Sequence, residues 1–116
     1  MIQINNIRWL SEEAKEAYIE LSSENIVFDC FSQPFNGIIS LPLYTFDTKN
    51  IQKIHNRSFK IEKMKNGIYY IEGCVYNKEQ NEVKVGDFRL SLDLSLPLDI
   101  YNDEFISFIC SRIENY

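Results

Sequence analysis

Apolar side chains occupy every second position from Phe88 through Leu90, Leu92, Leu94 and Leu96 to Leu98, and the positions between them carry Arg89, Ser91, Asp93, Ser95 and Pro97. A helix would spread this set around its whole circumference, so the 180° repeat predicts an extended chain with one apolar face. At about 3.3 Å per residue the run spans roughly 36 Å, longer than a common strand of five or six residues. Pro97 cannot donate to a ladder. The spacing therefore predicts a regular strand over about 83–93, with Leu94, Leu96 and Leu98 continuing in extended form to cover the open end of a barrel. Should those leucines prove exposed, they become the first candidate for a partner or dimer surface.

Elsewhere, turn-forming clusters recur at intervals of roughly ten residues, the spacing of an all-β domain. SSEN (22–25), QPFNG (33–37), KNG (65–67), NKEQN (77–81) and YND (101–103) separate segments rich in Ile, Val, Phe, Tyr and Leu. IYYIEGCVY (68–76) is apolar on both faces and holds Gly73 inside it, which marks a bulge or sharp bend, and Gly86-Asp87 marks another. Two bent consecutive strands predict a curled antiparallel sheet or partly open small barrel of about six to eight strands.

SEEAKEAYIEL (11–21) fits two templates. Ser11 is placed to cap a helix with Ala14, Ala17, Tyr18 and Leu21 on one face. Equally, Ala17, Ile19 and Leu21 alternate with Tyr18 and Glu20, and SSEN closes a hairpin onto IVFDCF. The hairpin is favoured because the second strand needs a neighbour; a helix would make the fold β with one short N-terminal helix.

Length changes the picture only by bounding it. A chain of 116 residues is expected to make one domain, 1–116, large enough to fold without staples. No run near 18 apolar residues and no basic-then-apolar leader occurs, so no membrane partner is expected and the location is read as cytoplasmic. Three cysteines, Cys30, Cys74 and Cys110, cannot all pair within one chain, and their bulky apolar neighbours suit buried free thiols in a reducing compartment.

Charge is unevenly spread within a formal net of −5. Residues 1–50 hold three basic and seven acidic groups, 51–66 hold five and one, and 67–116 hold four and nine. The basic island from Lys53 to Lys65 is thus flanked by acidic stretches that repel phosphate at long range, which disfavours general nucleic-acid binding.

Catalytic and cofactor chemistry is sparse. The one histidine, His55, and the three cysteines lack zinc-ligand spacing. A Cys30–His55 nucleophilic pair remains open by sequence distance, yet Cys30 sits in an apolar strand where an inert packed thiol is the simpler reading. Glycines at 37, 67, 73 and 86 are scattered singly, so there is no phosphate-cradling loop. Neither an enzyme nor a cofactor is expected. Tyr69 and Tyr70 directly follow the basic island, and aromatic groups beside Lys60, Lys63 and Lys65 on a sheet are how barrels of the oligonucleotide/oligosaccharide-binding type stack bases. Core packing is the competing reading for both rings.

With CFSQPF (30–35), PLYTFDTKNI (42–51), GDFRLSLD (86–93) and LPLDI (96–100) in view, the chain resembles small uncharacterised all-β proteins of low-GC bacteria, many of which look like immunity partners of secreted or contact-delivered toxins. The resemblance implies a binding role and supplies no active-site residue. The expectation is a protein-binding protein whose partner is a basic toxin domain, met by an acidic exterior bearing Tyr18, Glu20, Glu24, Asp87, Asp93 and Asp99; a homodimer is compatible with this. Binding of single-stranded nucleic acid or oligosaccharide through Lys60, Lys63, Lys65, Tyr69 and Tyr70 is the alternative.

Overall fold

A computed structural model describes residues 1–116. The chain is all-β. Its eleven strands are β1 Gln3–Ser11, β2 Glu16–Ser23, β3 Ile26–Ser32, β4 Leu43–Phe46, β5 Lys49–Lys53, β6 Lys60–Lys63, β7 Tyr69–Asn77, β8 Glu82–Val85, β9 Phe88–Ser91, β10 Phe105–Cys110 and β11 Arg112–Asn115. A single 3-10 turn, Lys78–Gln80, lies between β7 and β8. No helix is long and apolar enough to cross a membrane.

The strands form one sheet in the order β1-β2-β3-β11-β4-β9-β8-β7-β10-β5, with β6 on β7. Two expectations are corrected here and one is met. The strand count is higher than six to eight, because what reads as continuous sequence is cut by bends. Two of the pairings, β3 with β11 and β4 with β9, are parallel, so the sheet is mixed. Its terminal strands β1 and β5 do not pair with each other, so the sheet is curled but not closed, as expected.

Two corners give the sheet its curl. Only Asp47 and Thr48 separate β4 from β5, and only Ser111 separates β10 from β11; β4 pairs with β11 and β5 with β10. The corner is held by Asp93, whose carboxylate accepts the Asp47 and Thr48 backbone N–H groups at 2.8 and 3.3 Å. Asp47 itself adopts the left-handed conformation (φ 56°), which a short polar side chain tolerates. Asp93→Ala is therefore expected to lower stability by about 1 kcal/mol through these two unmade bonds, measured as a shift in urea midpoint.

The second corner is Gly73. On one edge β7 pairs with β10 from Tyr69 to Cys74, while its other edge pairs with β6 over Tyr69–Glu72 and with β8 from Cys74 onward. In place of the bulge or bend expected inside IYYIEGCVY, the ladder with β10 runs through Gly73 without a register shift, and Gly73 is instead the point where β7 exchanges β6 for β8. The curl brings β7 over β3, where the Tyr69 hydroxyl donates to the Asp29 carbonyl at 2.9 Å.

Period-2 alternation sets the inward face. Ala17, Ile19 and Leu21 of β2, Phe28 and Cys30 of β3, Ile71 and Val75 of β7, Val83 and Val85 of β8, and Phe88 and Leu90 of β9 join one buried core. The segment 11–22 is strand and hairpin, with no helix; Ala17 pairs with Ser32 and Ser23 with Ile26.

The run from Phe88 departs from its expected course. Instead of one strand over 83–93, Gly86 (φ 60°) and Asp87 turn the chain between β8 and β9, and β9 stops at Ser91. Asn81 then captures the chain, its carbonyl accepting the Leu92 N–H and its side chain accepting the Leu96 N–H. Leu92 and Leu96 enter the core, Leu94 is half-buried, and only Leu98 stands out at 90% exposure. A lone exposed leucine is no patch, and Leu92 and Leu96 serve the core.

Candidate functional site

Strands β1, β2, β3, β11 and β4 lie side by side, and the alternation that buries one face leaves the other toward solvent. Register aligns a row across that outer face. Arg8 opposes Tyr18, Tyr18 opposes Phe31, Phe31 lies beside Glu114, and Glu114 opposes Tyr44. A second row sets Arg112 against Phe46. None of the inward-facing core residues of these strands shares this parity.

The rings on this face are ordered by one another and by cations. Tyr18 and Phe31 meet edge-on with centroids 5.7 Å apart, and the Arg8 guanidinium lies 5.0 Å from the Tyr18 centroid. Arg112 sits 5.0 Å from the Phe46 ring and bonds Glu114 at 2.9 Å. Tyr116 leans on Tyr44 and Phe46, with centroids at 5.3 and 6.3 Å. Each exposed cation–π contact contributes about 0.5–1 kcal/mol, enough to hold a guanidinium in place but not to bury it.

Curl of the sheet gives the face a concave part. Lys63, at the end of β6, overhangs it and joins two contiguous depressions. One, of about 190 Å³, lies among Tyr18, Phe31, Tyr69 and Arg112; the other, of about 440 Å³, lies among Asn6, Arg8, Glu20 and Asp29. The charges here are mixed, with Arg8, Lys63 and Arg112 facing Glu20, Asp29 and Glu114.

The residues expected at a protein interface separate into groups. Tyr18 and Glu20 lie in this concavity. Asp87 is engaged at the β2–β3 end of the sheet, accepting from the Ser23 hydroxyl and from the Met1 amine at 2.7 Å; those bonds hold its carboxyl below the usual range. Asp93 is the corner clamp already described. Glu24, in the β2–β3 turn with φ 55°, and Asp99 are exposed and outside the concavity. The six acidic and aromatic residues do not form one patch.

The Lys/Tyr group also divides. Lys63 reaches the groove and lies 5.7 Å from the Tyr69 ring, but Tyr69, at the floor of the depression, is only 5% exposed and its hydroxyl is taken up by the Asp29 carbonyl. No base can stack on it. Tyr70, on the opposite side of β7, donates to Glu72 at 2.7 Å, and Lys60 pairs opposite Glu72. Lys65 is exposed in the β6–β7 turn.

Glu72 accepts from the Ser58 hydroxyl as well, at 2.6 Å. The Ser58 and Tyr70 bonds, with Lys60 nearby, hold its carboxyl below the usual range. A depressed folded-state pKa contributes stability that is present above the unfolded-chain value and is lost as pH falls through the folded value. Thermal melts from about pH 7 to about pH 3 should therefore show stability falling below about pH 4.5. Glu72→Gln should be less stable at neutrality and show a shallower acid limb.

His55 is exposed in a separate depression with Lys53, Arg57 and Asp103. Cys30 lies in the core on the inward face of β3, where burial pushes its thiol up to about 12, as it does for Cys110. The two residues share no cavity. No group of three or more His, Cys, Asp or Glu side chains is arranged to hold a metal ion.

Sequence reasoning missed Arg8, Phe31, Tyr44, Arg112 and Tyr116. Parity alone assigns Phe31 opposite to Phe28 and Cys30, a signal present in FDCF. Joining Phe31 to Tyr44 requires the β3–β11–β4 pairing, which brings together residues about 80 positions apart. No protein-family model, curated protein or solved structure matches the chain.

Proposed function

We propose that this chain acts without catalysis, as a cytosolic protein-binding protein, and that the outer face of β1, β2, β3, β11 and β4 is its recognition surface. The observation that carries this reading is the ordered row Arg8–Tyr18–Phe31–Glu114–Tyr44, with Arg112, Phe46 and Tyr116 beside it. Tyrosine and arginine are among the residues that dominate the energetics of protein interfaces, phenylalanine is enriched in them, and pre-ordered rings lose little entropy on docking. Concavity and mixed charge supply shape and register.

In its most concrete form the role is immunity: the partner is a toxin domain with a basic surface. The net charge of −5 favours its approach through long-range attraction, while the face itself determines the fit. The test is capture from native extract of the producing cell, followed by expression of the captured protein alone and together with this chain. Growth arrest relieved by co-expression supports the reading. A captured protein that is harmless, or no protein held at constant stoichiometry, overturns it.

A second reading is favoured by one placement. Lys63 overhangs the groove beside Tyr18 and Phe31, an arrangement of cation and rings that also suits single-stranded nucleic acid or oligosaccharide. Glu20 and Asp29 in the same concavity disfavour phosphate and favour sugar hydroxyls. Salt-dependent binding of a labelled oligonucleotide would support the nucleic-acid form, and binding of a neutral oligosaccharide the other.

A further inference from the structure

The strand path has two ends, and they are built differently. β5, Lys49–Lys53, is five residues long, begins and ends with lysine, and contains Asn50 in the left-handed conformation (φ 58°). Short length, lysines and backbone irregularity are the devices by which edge strands avoid pairing with another chain. β1, Gln3–Ser11, has nine residues, no proline, no lysine and one charge, Arg8. Its outward edge has no strand partner.

β1 is also apolar on the side that continues the core. Register places Ile4, Ile7 and Trp9 opposite Leu21, Ile19 and Ala17, all fully buried members of β2. Those three β1 residues nevertheless remain 38–42% exposed, and Leu10 is 51% exposed. The core layer therefore runs out beneath an unpaired edge.

We infer that β1 pairs antiparallel with β1 of a second copy of this chain about a two-fold axis through Ile7. Only a few registers are available, and charge and parity select among them. Opposed residues in an antiparallel pair point to the same face, so a two-fold axis passes through a residue of known parity. Centring on Arg8 would oppose two guanidinium groups. Centring on Asn6 would set Ile4 against the Arg8 of the second copy. Centring on Ile7 opposes Ile7 to Ile7 on the core side and Arg8 to Asn6 on the outer side.

The same register is complementary across the next strand. Glu20 of β2 lies opposite Asn6, so Arg8 of the second copy arrives on the Glu20 side of the seam. Each copy offers one such pair. Between the register shifts at Ile4/Asn6 and at Trp9/Ser11, β1 is regular from Asn6 to Trp9, which includes the Asn6–Arg8 stretch that the axis through Ile7 pairs. Edge pairing of one strand buries less than a standard interface, so the dimer is a weak, concentration-dependent one. The pairing shares Arg8 and Asn6 with the outer face, whereas Ile7 faces the core side, so variants at Ile7 test the pairing without altering that face.

Sedimentation velocity from about 1 µM to about 500 µM tests it, the range covering dissociation constants typical of weak association. The wild-type chain should pass from monomer to dimer within that range. Ile7→Lys and Ile7→Glu, each first shown folded by circular dichroism and melting, should remain monomeric on their own and form a mixed dimer when combined, because only this register opposes position 7 to position 7. A wild-type chain that stays monomeric, an Ile7→Lys chain that still dimerises, or two monomeric variants that do not pair on mixing would each overturn the inference.

Discussion

Gly73→Val should abolish the native fold, and Gly73→Ala should lower stability by about 3 kcal/mol, at the upper end of overpacking costs. A Cβ built at this position would lie 2.7 Å from the Lys84 carbonyl oxygen, 2.7 Å from Val83 Cγ1 and 2.8 Å from Val85 Cγ2. One of the three is backbone in the neighbouring strand, so no rotamer change relieves it. The other two belong to fully buried side chains. The required shift would have to part β7 from β8, which is where β7 exchanges β6 for β8 as its neighbour. Equilibrium urea unfolding checks the alanine variant. A midpoint within error of wild type would show that the close approach of β7 to β8 has slack.

Phe28→Ala should cost about 3–5 kcal/mol, the range for truncating a buried phenylalanine. Phe28 is 5% exposed and meets Phe88 edge-to-face with centroids 4.9 Å apart and planes inclined at 76°. Truncation removes both the buried ring and the aromatic pair, itself worth about 0.5–1.5 kcal/mol. Against a total of about 5–15 kcal/mol for a typical domain, this is a large fraction. The contrast with its neighbour is informative. Phe31, three residues along and on the opposite face, packs mainly on Tyr18 and is half-buried, so Phe31→Ala should cost about 1 kcal/mol. Urea midpoints at unchanged slope distinguish the two.

Local alternation made much of this architecture legible. The strand-turn rhythm, the β2–β3 hairpin at SSEN and the inward parity of Ile19, Phe28, Phe88 and Leu90 all follow from residues within a few positions of one another. β1 did not, because QINNIRWLS has no alternation to read: two register shifts break its period, and eight of its nine residues are exposed. The detour after Ser91 was hidden for a different reason. Its period-2 pattern is genuine, but Asn81 redirects the chain, and a capture by a side chain ten or more residues away leaves no local trace.

The candidate site was legible only in fragments for the same reason. Tyr18 and Glu20 were identifiable as outward residues on β2, and Lys63 as a basic group near rings. Their convergence depends on curl, which carries β6 to the edge of β3. Asp87 and Asp93 illustrate the converse. Both have the polar parity expected of a surface residue, yet one accepts bonds from Ser23 and the chain's amine and the other clamps a corner. Parity reports which face a carboxylate occupies, and says nothing of what it holds.

The most direct measurement is capture from native extract with three baits matched for folding: wild type, Tyr18→Ala/Phe31→Ala, and Asp99→Ala as a surface control outside the face. A partner retained by wild type and by Asp99→Ala, and reduced at least about tenfold on the double variant, is the predicted result; removal of two central aromatic anchors corresponds to 1.4 kcal/mol or more of binding free energy. Equal retention by the double variant would contradict the assignment of the outer face as the recognition surface.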